Sequence, residues 1–198
     1  HGTFELDGGS WEVDNNIWIV GDESEVIVID AAHDAKAIED AVAGRHVVAV
    51  VCTHGHNDHI TVAPQLAADL DAPVLLNPAD TMLWEMTHGD KEFRALQDGQ
   101  VLTAGGIALR AIATPGHSPG STCLYAPQLG AVFSGDTLFC GGPGATGRSF
   151  SDFPTILGSI KDKLGALPAE TVVYTGHGDS TRIGDELVNY DDWVARGH

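Results

Sequence analysis

The sequence predicts an α/β fold of two sheets covered by helices, and three observations predict it. The early β-rich runs come as hairpins, the later ones alternate with helices, and one Val-rich run is continuous enough to be buried on both faces. The 198 residues are 43% hydrophobic and 19% charged, a globular balance that suits a single domain over 1–198.

Asn16 to Val20 and Val26 to Asp30 read as a hairpin closed by Gly21, Asp22, Glu23 and Ser24. Asp34 caps a helix through about Ala43, with Ala37, Ile38, Ala41 and Val42 on one face and Gly44 as its stop. His46 to Thr53 is the doubly buried strand. Thr61 to Leu70 is helical, with Val62, Leu66 and Leu70 in phase. Ala72 to Asn77 is a short strand, and a helix runs from Pro78 to about Thr87. Met82, Trp84 and Met86 on that helix read as core. Val101 to Thr103 and Ile107 to Thr114 flank Gly105-Gly106 as a second hairpin. Ser121 to Tyr125 and Ala131 to Ser134 are the next strand pair, and Gly141 to Phe153 is a loop. Pro154 to Leu164 is a helix, Thr171 to Thr175 the last strand, and Asp185 to Arg196 a closing helix.

Asp and Glu number 28 against 10 Lys and Arg, a formal net charge of -18. Such a surface repels phosphate backbones, so a nucleic-acid partner is not expected. Apolar runs such as Val47 to Cys52 are too short to span a bilayer, and no signal peptide opens the chain. Three cysteines (Cys52, Cys123 and Cys140) without CxxC spacing fit a reducing cytoplasm rather than a disulfide framework.

The histidines carry the chemistry. His54, His56, Asp58 and His59 crowd the loop that follows the Val-rich strand. Imidazole and carboxylate suit zinc, iron and manganese alike. Gly55 lets the backbone turn so that the first two histidines converge. Pro115-Gly116-His117, Ser134-Gly135-Asp136 and Thr175-Gly176-His177 each set a ligand type beside Gly after an apolar run. Together they supply the remaining ligands for two divalent ions.

This set resembles the metallo-β-lactamase superfamily, whose signature is HxHxDH. The stretch Thr114 to Ser121 is similar to the third ligand loop of short glyoxalase II-like (hydroxyacylglutathione hydrolase-like) enzymes, and Gly176 to Glu186 to their tail. The resemblance implies a four-layer αβ/βα sandwich. It implies a first metal on His54, His56 and His117, a second on Asp58, His59 and His177, and Asp136 between them. Asp30 is implied as a support of the ligand loop. The implied activity is hydrolysis of a small acyl-thiol ester by a hydroxide held between two metals, zinc first, with Asp58 and Asp136 orienting it. The loop from Gly147 to Pro154 departs from the relatives by about two residues, which leaves the thiol carrier open. Arg148, a lone cation in that loop, suits an anionic group on the substrate; Phe150 and Arg182 are further candidate contacts. His33 is read as a surface-loop residue. Alternatives within the superfamily are lactone hydrolysis and a persulfide dioxygenase with one iron on His54, His117 and Asp136.

Overall fold

Alternation along the strands sorts the apolar side chains into three layers. In Glu25–Ile29, Val26 and Val28 face one way and Ile27 and Ile29 the other, and all four are fully buried. A computed structural model describes residues 1–197. Its first large sheet has the order β3 (Trp18–Gly21), β4 (Glu25–Ile29), β5 (His46–Val51), β6 (Val74–Leu76), β7 (Arg94–Ala95). The second has the order β15 (Thr181–Arg182), β14 (Val172–Thr175), β11 (Ala131–Gly135), β10 (Thr122–Ala126), β9 (Ile107–Ala113), β8 (Val101–Ala104), and β12 (Leu138–Phe139) pairs with β13 (Gly142–Pro143) as a separate ribbon. Ile27, Ile29, Ala49 and Val51 from one sheet meet Leu109, Ala111, Leu124 and Phe133 from the other in the central layer.

Helices cover the outer faces. α1 (Ala35–Val42), α3 (Ala63–Asp69) and α4 (Thr81–His88) bury Ile38, Leu66 and Trp84 against Val28, Val50 and Leu76. On the opposite side α5 (Phe153–Ser159) and α7 (Tyr190–Arg196) bury Ile156, Leu157 and Trp193 with Cys123, Val132 and Val173. The result is the expected four-layer αβ/βα sandwich. Asp34 caps α1 by accepting from the Ala37 N–H. Val48 sits at a register shift between β4 and β5, so Val48 and Ala49 both pack toward the central layer. Among the described residues no helix is long and apolar enough to cross a membrane.

Several expectations need correcting. A hairpin of β1 (Gly2–Leu6) and β2 (Gly9–Val13) precedes the first expected strand. Its turn residues Asp7 and Gly8 both have positive φ, 53° and 76°, as a tight two-residue hairpin requires. α1 stops one residue early, on a left-handed Ala43 ahead of Gly44. The helix expected to end at Leu164 leaves α-geometry after Ser159 and finishes as a wide turn, with Gly165 N–H on Ile160 O. The closing helix is two, α6 (Ile183–Leu187) and α7. Met82 and Met86 are 58% and 60% exposed, so only Trp84 of that trio is core. His33 is half-buried and bonded to Asn15 instead of lying free in a surface loop.

Candidate metal centre

Four strands end at the same edge of the sandwich, and each delivers ligands there. The chain after β5 turns into the short helix α2 (Asn57–Ile60) and carries His54, His56, Asp58 and His59. The loops after β9, β11 and β14 deliver His117, Asp136 and His177. Two close approaches demand glycine. At Gly135 (φ +49°) a Cβ would meet Thr53 Oγ1 at 2.4 Å, and at Gly176 it would meet Asp136 Oδ1 at 2.2 Å.

The seven side chains fall into overlapping groups: His54, His56 and His117; Asp58, His59 and His177; and His54, His59 and Asp136. His56 Nδ1 lies 3.0 Å from His54 Nε2 and 3.0 Å from His117 Nε2. Asp58 Oδ2 lies 3.4 Å from His59 Nε2 and 3.3 Å from His177 Nε2. Asp136 stands between the groups, with Oδ1 3.3 Å from His59 Nε2 and Oδ2 3.5 Å from both His117 and His177 Nε2.

The hydrogen bonds behind the rings fix which nitrogen points inward. Asp30 accepts from His59 Nδ1 (2.9 Å) and from Thr53 N–H and Oγ1 (2.7 and 2.8 Å). The Thr53 hydroxyl is thereby committed as a donor, so it accepts from His54 Nδ1 at 3.1 Å. His117 Nδ1 donates to Ala145 O and His177 Nδ1 to Asp14 O. Four imidazoles therefore aim Nε2 at the centre; His56 aims Nδ1 by position alone, its buried Nε2 having no hydrogen-bond partner. Ligands on one tetrahedral zinc stand about 3.3 Å apart, close to the spacings found here. The Asp58 and Asp136 Oδ1 atoms are buried with no hydrogen-bond partner. Orphaned carboxylate oxygens beside inward imidazole lone pairs are the signature of a cation site. The donor set fits divalent metal, and this is a metal-binding cluster.

The electrostatics agree. Burial pushes His54 and His56 far below the ordinary imidazole range, His56 to about 3 with His117 adding to the effect. Burial opposes charge on His59 and His177 as well, but Asp136 and Asp58 overcome it, raising His59 and lifting His177 to about 10. Burial likewise raises the carboxylates, yet His59 and the His177 hydrogen bond hold Asp58 down at about 2 and keep Asp136 well below the ordinary carboxylate range. One side of the centre offers neutral lone pairs; the other holds carboxylates that require positive charge.

Two residue sets escaped the sequence reading. Asp80 Oδ2 accepts from Gly55 N–H (2.8 Å) and the Ser118 hydroxyl (2.7 Å), and its Oδ1 from Gly120 N–H. This one buried carboxylate ties the His54–His56 turn to the His117 loop. The β1–β2 hairpin brings Phe4 and Trp11 over the centre, Phe4 lying 5.2 Å from the His56 ring. Asn57 fastens it, accepting from Glu5 N–H and donating to Thr3 O, both at 2.8 Å.

A cavity of about 260 Å³ opens on the ligands between Phe4, Trp11, Val13, Ala145 and Arg148. Larger grooves of about 600 and 450 Å³ border Met86 and Phe93. Neither contains any of the ligand groups found among the described residues. Arg148 lines the cavity, its guanidinium carbon 3.8 Å from the Trp11 ring. Phe150 and Arg182 do not line it. Phe150 holds a left-handed φ of 71° and is 37% exposed, and Arg182 pairs with Val172 at the far end of β14 from Thr175. Cys52 packs in the outer core, and Cys140 is exposed.

A two-sheet α/β sandwich with a His/Asp metal cluster at one edge defines a metallo-hydrolase fold. The profile of the metallo-beta-lactamase superfamily matches residues 11–177, and the chain belongs to that family. It is 37% identical over 166 residues to a hydroxyacylglutathione hydrolase of Acidiphilium cryptum, covering 83% of this chain and 64% of that protein. It is 34% identical to an uncharacterized protein of Aquifex aeolicus, covering 86% and 88% of the two chains. A protein crystallised in a di-iron-bound form superposes with a TM-score of 0.79 at 30% identity, over 87% of this chain and 91% of that one.

Proposed function

We propose that this chain is a dinuclear metal hydrolase that cleaves small acyl-thiol esters in the cytoplasm, with zinc as the first candidate metal. The observation that carries the reading is Asp136, whose two oxygens lie within 3.5 Å of ligand nitrogens from both groups. His54, His56 and His117 would hold one ion and Asp58, His59 and His177 the other. Bound there, divalent ions supply Lewis acidity, lowering the pKa of water toward neutrality and polarising a carbonyl oxygen.

The side chains do the rest. Asp58 and Asp136, whose Oδ1 atoms accept no hydrogen bond within the protein, would accept the proton-bearing side of the attacking water and aim its lone pair at the acyl carbon. Phe4 and Trp11 wall the cavity and exclude bulk water. Arg148 is braced on Trp11, which leaves the edge of its guanidinium for an anionic group on the thiol or acyl portion. The thiolate departs without protonation, so no general acid is required. Among the described residues no Ser or Cys lines this cavity, and Ser149 and Ser151 line only the smaller space that adjoins it.

Elemental analysis of protein purified without chelator, followed by a thioester panel with free-thiol detection, tests the reading. About two ions per chain and thiol release support it. About one iron per chain, with oxygen uptake on a persulfide, would replace it with the dioxygenase. Arg148→Ala raises KM for anionic thioesters with little change in kcat; an unchanged KM removes Arg148 from substrate binding.

A further inference from the structure

Asn15, between β2 and β3, is absent from the seven expected ligands. Its side-chain Nδ2 atom lies 2.9 Å from Asp58 Oδ2, 3.3 Å from His59 Nε2 and 3.5 Å from His177 Nε2. Those three atoms are themselves 3.4, 3.3 and 3.2 Å apart. Four points with six nearly equal separations can only be the corners of a tetrahedron. The centre of one this size lies about 2.0 Å from each corner, the length of a zinc bond to nitrogen or oxygen. The end of the Asn15 amide thus closes a tetrahedron on the second ligand group, as a position additional to Asp136, whose oxygens lie 3.3 and 3.5 Å from His59 and His177 Nε2.

As the amide stands, Nδ2 donates to Asp58 Oδ2 and Oδ1 faces His33 Nε2 at 2.7 Å. A half-turn about the last side-chain bond exchanges the two ends at no steric cost, because amide oxygen and nitrogen are nearly isosteric. A cation at the centre selects the oxygen, since an N–H donor there would point its positive end at the ion. His33 serves either orientation: its Nε2 donates to the oxygen or, as the other tautomer, accepts from the nitrogen. We infer that Asn15 is a further ligand of the second metal, giving its amide oxygen to the position shared by Asp58, His59 and His177, with His33 as the residue that aims it.

The surroundings brace that placement. Asp14 O accepts from His177 Nδ1 on one side of Asn15. On the other, the Asn16 amide donates to Thr175 O and Gly178 O. The segment is thereby laced to the end of β14. His33 holds a left-handed backbone (φ 62°), which a non-glycine residue adopts only when its surroundings enforce it. Its ring is seated against Gly2 so closely that a Cβ there would come within 2.1 Å of Nδ1. The His33 imidazole is therefore locked toward Asn15.

The inference rests on the two-metal reading, and the test separates the two. Wild-type, Asn15→Ala, Asn15→Asp and His33→Ala proteins are stripped and then titrated with zinc against a chromophoric chelator. Cobalt-loaded spectra report the coordination. Circular dichroism and thermal unfolding of the stripped forms establish folding independently of metal. The wild-type titration is read first, and one ion in place of two overturns the two-metal reading and the assignment with it. With two ions in the wild type, Asn15→Ala should weaken one of them about 10- to 100-fold and leave the other unchanged. It should also change the cobalt d–d bands. Asn15→Asp should restore wild-type or tighter binding, because a carboxylate oxygen replaces the amide oxygen. His33→Ala should show a smaller loss of the same ion. If Asn15→Ala holds both ions as tightly as wild type, the assignment fails. It also fails if Asn15→Asp binds as weakly as Asn15→Ala. That pattern would make Asn15 a donor to Asp58 only, a role that a carboxylate cannot fill.

Discussion

Replacing Asp30 with Asn isolates the tautomer of one imidazole. Asp30 is an acceptor at both oxygens, so His59 must carry its proton on Nδ1 and present Nε2 to Asp58 and Asp136. Asn has the same shape and tolerates the left-handed φ of 60° at this position. Its oxygen keeps the Thr53 amide bond, and its NH2 then faces the Thr53 hydroxyl and His59 Nδ1. The hydroxyl can rotate to accept. His59 can accept at Nδ1 only by moving its proton to Nε2, the atom aimed at the centre. Exchanging charge-assisted for neutral hydrogen bonds should cost the stripped protein about 1–3 kcal/mol. The wrong tautomer should weaken the ion on the Asp58 side about 10- to 100-fold, which is about 1.4–2.7 kcal/mol. Asp30→Ala behaves differently. It orphans three buried donors at about 1–3 kcal/mol each and adds about 1–2 kcal/mol for a left-handed Ala. Urea unfolding of the stripped proteins and chelator competition on the reloaded ones separate the effects. An Asp30→Asn protein that binds both ions like wild type would refute the tautomer argument, as would one that unfolds as easily as Asp30→Ala.

Three further outcomes follow from the charges. Zinc binding at pH 7 should release at least one proton per chain, because His177, lifted to about 10, must lose its proton to ligate. Calorimetry in buffers of different ionisation enthalpy reads this, and identical heats would contradict it. The stripped protein should lose stability as pH falls from about 6.5 toward 3, because His56 titrates near 3 when folded and near 6.5 when unfolded. The unfolded chain binds the extra proton across that window, at about 1.4 kcal/mol per pH unit. A urea midpoint that stays flat there would disprove it, and bound metal should suppress the slope. With a formal charge of -18, the melting temperature should rise with sodium chloride as self-repulsion is screened from about 30 Å at 0.01 M to about 3 Å at 1 M. A melting temperature indifferent to salt would show that the acidic surface carries no such strain.

What the sequence disclosed follows the range over which each interaction acts. Val26 to Ile29 and Val47 to Val51 announce a sheet covered on both sides because alternate residues enter different layers, a local pattern. The seven ligand types were legible because His54, His56, His117, Asp136 and His177 each adjoin a glycine just past an apolar strand, and Asp58 and His59 follow within the same short HxHxDH run. Asn15 was not legible, since it reaches Asp58 across 43 residues and His177 across 162, and an isolated Asn has no spacing to betray it. Asp80, 25 residues from Gly55 and 40 from Gly120, was hidden in the same way. The β1–β2 hairpin carried a readable Asp7-Gly8 turn. Phe4 and Trp11, though, pack on each other and Phe4 on His56, and only Leu6 of the hairpin's side chains is buried, so the pair of strands carries little buried apolar alternation. Arg182 shows the converse error, in which proximity along the chain to His177 suggested proximity in space. β15 runs antiparallel to β14, so each residue gained after His177 moves Arg182 back along the sheet, away from the edge where the ligands gather. Arg148 has no regular strand to carry it off. Its loop returns across the mouth, pinned by the bond from Ser149 N–H to Asp7, and this bond to the hairpin tip brings the guanidinium over Trp11. The seven side chains expected to hold metal are set by strand ends, whereas Asn15, Asp80 and the side chains that would meet substrate are set by contacts between segments far apart in sequence. That is why the first set could be read from one chain, whereas of the second only Arg148 was picked out, by its charge in a glycine-rich loop and not by any spacing.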